Sequence, residues 1–347
     1  MTGARGPVTL LDVARVAGVS LATASRVING SERKVSEALR SRVAEAAETL
    51  NYVPNAYAQA LARARTSIAG VIVHDIDNPF YSGILRGVQR VAIEKQQILL
   101  ICNSDRDPHR ELEYLGLMHE HRAATIIIAA SGHDDAGYTA KLAARLRSFV
   151  EGGGRAAVIG RHEVAVPAVV PDNRGGMNAL VTVLIAQGHR RFAVISGPQR
   201  LTTVEDRLAG VTDALTTAGL TLDPALVFDG GLTREGGAQA AELLYERHGA
   251  TPPTAIVALS DEMAIGALAT LRRRGVRVPA DVSLTGFDDI PSAADLEPPL
   301  TTVRIALDQV GERAMRLAVE DGMNHKIVPV PANPIFRDSS APIRRGS

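Results

Sequence analysis

The stretch "LLDVARVAGVSLATASRVING", residues 10–30, holds two short amphipathic patterns that meet at Ala17-Gly18-Val19. The first keeps Leu10, Val13, Ala14 and Ala17 at helical spacing. Thr9 followed by Asp12 has the form of a capping box, in which the side chain at each end accepts a hydrogen bond from a free backbone N–H. Gly18 can take the left-handed conformation that stops a helix, and Ser20 is placed to cap the next one, which should run to about Asn29-Gly30. That second pattern turns Ala24, Val27 and Ile28 inward and leaves Ser20, Thr23, Ser25 and Arg26 on the other side. A third helix from Ser36 repeats Leu39, Val43, Ala46, Ala47 and Leu50 and covers the first two. The result is a helix-turn-helix of about fifty residues.

A chain of 347 residues with 46% hydrophobic content can bury more than one core, so two or three domains are expected. The formal charge of zero hides an asymmetry: residues 1–65 hold nine Lys/Arg against five acids, a net of +4, and the rest carries −4. A basic head on an acidic body points to a polyanion partner for the head. No charged-then-apolar leader opens the sequence, and no apolar run approaches the ~20 residues of a membrane span, so a cytoplasmic protein without a membrane partner is expected. The single cysteine, Cys102, excludes an internal disulfide framework and lies in "QILLICNS", which reads as a buried strand in which the thiol packs.

Residues 53–66, "VPNAYAQALARART", form a linker of helix-friendly composition with too few bulky residues to hold a helix alone. From Ser67 the pattern changes to apolar runs alternating with amphipathic helices. The runs are "SIAGVIVHDI", "QILLICNS", "ATIIIAA", "RAAVIG", "RFAVIS", "LVFDG", "AIVAL" and "VSLTGF". They are continuous rather than alternating, as in parallel strands covered on both faces. The Pro/Gly-rich stretches "VPAVVPDNRGG" (166–176) and "LEPPLTTV" (296–303) divide them into two lobes, with the chain returning to the first lobe after 303. The expected organisation is a head at 1–52, a linker at 53–66 and a core at 67–347. Within the core, one lobe takes about 67–171 and 304–331, and the other about 172–303 and 332–340.

Together "VTLLDVARVAGVSLATASRVING", "LNYVPNAYAQALA", "DNPFYSGILRGV", "GHRRFAVISGP", "DRLAGV", "SDEMAIGAL", "GFDDIP" and "PPLTTV" resemble the LacI/GalR family of transcription regulators over nearly the whole chain. The resemblance implies an all-α DNA-binding head and a bilobal, periplasmic-binding-protein-like α/β core with two parallel-sheet subdomains. It implies a homodimer that represses transcription from double-stranded operator DNA and responds to a small molecule. The second helix would then lie in the major groove. Leu21, Ala22 and Arg26 would meet base edges, the arginine bidentately on guanine and the other two by apolar contact. Thr9, Ser20, Thr23, Ser25 and Asn29 suit the duplex backbone. The linker would become a hinge helix near Asn55–Ala62, with Asn55, Ala58 and the wedge Leu61 in the minor groove.

In the core, the resemblance carries effector contacts to Phe80, Tyr81, Arg161, Arg207, Ser260, Asp261 and Asp288. Arg207 and Asp288 offer donors and acceptors for vicinal hydroxyls, and Phe80 a flat apolar surface. Leu307 replaces a second aromatic found in some relatives, which favours a sugar or sugar derivative over a purine or nucleoside acting as corepressor. Other readings stay open for single residues. Asp261 is equally an N-cap, Arg161 equally a structural ion-pair partner, Asp289 a turn or hinge residue and His189 a structural histidine.

Enzyme chemistry finds no support in the sequence. The glycines of "GGGRAAVIG" (152–160) precede a strand, so they form no dinucleotide fingerprint, and no phosphate-binding loop is present. The nine histidines show no metal spacing, "HDDAGYTAK" (133–141) reads as a polar loop entering a helix, and neither a cofactor nor a metal is expected. A transport solute-binding protein would share the core but lack the helix-turn-helix.

Overall fold

The computed structural model describes residues 8–28, 35–53, 66–320 and 326–343. Two compact units divide between Ser67 and Ile68.

In the first unit α1 (Leu10–Ala17), α2 (Leu21–Ile28) and α3 (Glu37–Thr49) enclose Val13, Ala14, Ala17, Ala24, Val43 and Ala46. The capping box forms: Thr9 N donates to Asp12 Oδ2 at 3.0 Å, and Asp12 N to Thr9 Oγ1 at 3.4 Å. Gly18 ends α1 at φ +62°, and Ser20 Oγ accepts from Thr23 N at 3.1 Å to start α2. The turn is also tied from a distance. Arg42 on α3 donates to the Ala17 carbonyl at 2.6 Å, satisfying a carbonyl that the end of α1 leaves open.

The second unit begins with β1 (Ile68–Val73), α4 (Pro79–Glu94), β2 (Ile98–Asn103), α5 (Pro108–Glu120), β3 (Thr125–Ile128), α6 (Ala136–Glu151), β4 (Arg155–Ile159) and β5 (Ala168–Pro171). The chain then crosses to a second lobe. This holds α7 (Asn173–Ala186), β6 (Phe192–Ser196), α8 (Thr202–Thr217), β7 (Val227–Asp229), α9 (Arg234–His248), β8 (Ala255–Ala258), α10 (Asp261–Arg273), β9 (Ser283–Thr285), α11 (Pro291–Ala294) and β10 (Thr302–Ile305). It returns as α12 (Leu307–Val319) and β11 (Ile327–Val330), and crosses once more into β12 (Ala332–Ile335). The first lobe is a six-stranded parallel sheet in the order β11-β5-β4-β3-β1-β2, and the second a four-stranded parallel sheet ordered β7-β6-β8-β9, beside the antiparallel pair β10-β12.

Parallel strands need crossover helices, and the buried Val/Ile/Ala runs are what two covered faces demand. Helices α4 and α12 touch backbone to backbone. A Cβ on Gly87 would lie 1.9 Å from the Asp308 carbonyl oxygen, and one on Gly311 2.0 Å from that of Ile84.

Four strands, β5, β10, β11 and β12, fall outside the eight apolar runs, because three of them contain proline and the fourth follows "PPL". The stretches that divide the lobes in sequence are themselves pairing strands leading into the crossings. The expected burial of "QILLICNS" is corrected as well. As the edge strand of its sheet, β2 leaves Ile98 72% and Leu100 45% exposed, with Cys102 half-buried.

Candidate functional site

In the head, α2 buries Ala24 and exposes Leu21, Ala22 and Arg26, so the three residues expected at base edges share the solvent side. Thr9 and Ser20 are exposed and precede α1 and α2, and Thr23 and Ser25 are half-buried within α2. The Thr9 and Ser20 hydroxyls already cap their own helices, and Ser20 Oγ also pairs with Thr23 Oγ1 at 2.8 Å. Asn29, Asn55, Ala58 and Leu61 lie outside the described residues.

In the core, the carboxyl ends of both parallel sheets face a crevice, where open α/β sheets bind ligands. It has about 640 Å³ of empty space including its mouth. Asn78 caps α4 by accepting from Phe80 N at 3.0 Å, with Pro79 in the first turn, and this sets Phe80 and Tyr81 on the wall with their rings edge to face at 5.0 Å.

From the opposite lobe, α8 delivers Arg207 and the turn after β9 delivers Asp288, its backbone at φ +114°. Arg207 is buried and fully engaged: Nε donates to Asn173 Oδ1 at 2.9 Å, one terminal nitrogen to the Leu259 carbonyl at 2.6 Å, and the other to Asp288 Oδ1 at 2.8 Å. Its guanidinium lies 3.8 Å from the centre of the Phe287 ring. Burial pushes the Asp288 carboxyl up to about 6, against the pull of Arg207. Ser260 also lines the wall, while its Oγ accepts from Met263 N at 3.3 Å as the cap of α10.

Two expected contacts go elsewhere. Asp261, the first residue of α10, turns into the lobe: its carboxylate accepts from Ile290 N at 2.9 Å and Thr302 Oγ1 at 2.5 Å, and it has no exposed surface. Burial and the neighbouring Asp288 hold its carboxyl well above the usual range. Arg161 follows β4 toward the outside and bridges the lobes by ion pairs to Glu205 at 2.6 Å and Asp206 at 2.9 Å. Leu307 packs over Gly83 on α4, and Ile305 takes the place on the crevice wall. Asp289, at φ +54°, clamps Arg304 at 2.5 Å and Arg337 at 2.6 Å, and the buried His189 bonds the Ala341 carbonyl at 3.1 Å.

The crevice also holds residues that were not expected as effector contacts: His74, Asn78, Arg106, Ser131, Asn173 and Thr203. Arg106 lies 3.6 Å from Asp75, and its Nε is buried without a partner. A charged residue just past a parallel strand was the available signal for it. The positive φ angles of Asp105 and Arg106, which turn that loop inward, carry no mark in a non-glycine sequence. With two guanidiniums, one carboxylate, several amides and hydroxyls, and an aromatic wall, the crevice suits a compact polyhydroxylated ligand.

Residues 9–55 match the model of bacterial regulatory proteins of the lacI family, and residues 181–340 that of the periplasmic binding protein-like domain. The HTH-type transcriptional regulator GalR of Escherichia coli (strain K12) is 36% identical over 90% of this chain and 88% of its own length. The structure of a complex of the transcriptional regulator CelR with cellobiose superimposes with a TM-score of 0.69 at 32% identity, covering 96% of this chain and 100% of that one. The lac repressor dimer bound to operator and the anti-inducer ONPF gives a TM-score of 0.82 at 25% identity, covering 97% and 100%.

Proposed function

Because the chain belongs to the LacI family, and is thus a DNA-binding transcriptional repressor governed by a small molecule, we propose that its effector is a sugar or sugar derivative whose binding releases DNA. The observation that carries this is the Arg207–Asp288 pair facing Phe80 across the crevice. Vicinal hydroxyls take paired donors and acceptors, and the CH face of a ring lies on an aromatic edge. Asn173 and Arg106 extend the polar set. Residues of both lobes line the crevice, so a ring-sized ligand touches both lobes at once. That gives the ligand a preference between lobe arrangements, without which no switch is possible.

In the head, Arg26 reads a guanine, Leu21 and Ala22 meet apolar base edges, and Thr9, Ser20, Thr23 and Ser25 touch phosphates. Asn29, Asn55, Ala58 and Leu61 complete this proposed surface as the resemblance implies. A second copy of the chain covers the β2 edge, since an exposed apolar edge strand otherwise invites disordered association. The work takes place in the cytoplasm, where the operator is. Among the described residues no helix is long and apolar enough to cross a membrane, and the curated relatives are regulators rather than enzymes.

The test is calorimetry of the full chain against mono- and disaccharides and purines, each followed by operator titration. The proposal expects one saccharide to bind and weaken the DNA complex. Tight purine binding that strengthens the complex overturns both the ligand class and the direction.

A further inference from the structure

Behind the crevice wall, three side chains far apart in sequence converge on one point. His74 stands at the carboxyl end of β1, Glu111 in the first turn of α5, and His133 in the loop between β3 and α6. His74 Nε2 lies 2.9 Å from Glu111 Oε1 and His133 Nε2 3.9 Å from the same oxygen, and all three ligand atoms fall within 4.8 Å of one another. The side chains of His74 and Glu111 are 2% exposed and that of His133 8%. Within this polar cluster His133 Nε2 has no hydrogen-bond partner. At 3.9 Å its approach to the carboxylate is a polar contact only, and a buried nitrogen left in that state costs free energy unless something satisfies it.

We propose that His74, Glu111 and His133 form a binding site for a divalent transition ion of the zinc class. Two imidazoles and one carboxylate are a donor set that such ions accept, and magnesium or calcium, which want oxygen, would not select it. The separations of 2.9 and 3.9 Å straddle the roughly 3.3 Å edge of a tetrahedron with arms of about 2.0 Å, so small side-chain rotations bring the three atoms onto one ion. His74 takes part as the tautomer with its proton on Nδ1, which frees the Nε2 lone pair. The outer support exists already: the Tyr138 hydroxyl donates to Glu111 Oε2 at 2.5 Å, fixing the carboxylate from its far side.

The site also has an approach. A second cavity, of about 690 Å³ including its mouth, is lined by His133, Tyr138 and His162. Its position couples the ion to the proposed switch. His74 lines the effector crevice, while the backbone around His133 is pinned to the opposite lobe: Asp134 N donates to the Arg200 carbonyl at 2.8 Å and Thr202 N to that of Gly132 at 2.9 Å. An ion held by both histidines ties the crevice wall to that inter-lobe strap.

The experiment uses the full chain stripped of metal by chelator and then titrated with zinc against a chromogenic competitor, and separately with cobalt. One zinc per chain and the strong visible absorption of four-coordinate cobalt are expected. His74→Gln and His133→Gln should each weaken zinc binding at least tenfold, while His109→Gln and His121→Gln, at exposed positions, leave it unchanged. Should the buried variants fail to fold, the cobalt spectrum of the unaltered chain decides. A chain that takes up no zinc, a cobalt complex with only the weak absorption of six-coordination, or zinc affinity unchanged in folded His74→Gln and His133→Gln overturns the site.

Discussion

At the scale of single residues, the sharpest consequences rest on Arg26 and Asp288. Arg26 is exposed on the solvent side of α2, the side proposed to meet base edges. Arg26→Ala should cost about 1–3 kcal/mol of operator affinity and relax preference at one base pair per half-site, as read by footprinting on a set of operator variants. A uniform loss across all variants would instead mark a phosphate contact. Asp288 gives a pH signature. With its folded carboxyl at about 6 against an ordinary value near 4, it binds a proton more tightly folded than unfolded. Its contribution to stability is therefore present below about pH 4 and lost as pH rises through about 6. A sugar hydroxyl donating to the ionised carboxylate acts in the opposite sense, so effector affinity should rise between pH 5 and 7. Calorimetry across that range should show the rise in the parent and a flat profile in Asp288→Asn.

At the scale of elements, the turn between α1 and α2 depends on one glycine and one distant arginine. Gly18 sits at φ +62°, and a Cβ there would come within 2.6 Å of the Arg42 guanidinium that caps α1. Gly18→Ala should destabilise the head by about 1–3 kcal/mol and lower DNA affinity while leaving the melting of the core unchanged in calorimetric scans. The glycine was legible in sequence, as were the capping box, the three helices and most parallel strands, because each is decided by neighbours within a turn or two. Arg42 was not, since its partner is a backbone carbonyl twenty-five residues away. Asp261 and Arg161 were motif positions whose side-chain direction only packing decides. The exposure of β2 escaped for the same reason: continuous apolar composition reads alike in a central strand and in an edge strand that awaits a partner. Leu100→Lys on that edge should leave the fold intact and convert the protein to monomers in sedimentation, with a loss of operator affinity.

At the scale of the whole molecule, the proposed switch makes repression and release two outcomes of one lobe equilibrium, and a ligand shifts it only by its differential affinity for the two arrangements. The residues proposed to read DNA and those proposed to read the sugar belong to separate units, so substitutions in the crevice should separate response from binding. Removing Asp288 outright would strand the buried Arg207 without its carboxylate, a loss of the kind that costs about 3–5 kcal/mol and risks the fold. Asp288→Asn keeps the volume and one acceptor for the Arg207 terminal nitrogen, and removes only the charge and the second strong acceptor that hydroxyls need. The expected variant melts below the parent because the buried Arg207 loses its counter-charge, binds operator as tightly as the parent at temperatures where it is folded, and stays on DNA at sugar concentrations that release the parent, giving permanent repression. Operator titrations with and without the saccharide identified by calorimetry decide this, and release of Asp288→Asn at the parent's saccharide concentration would remove Asp288 from the effector's contacts.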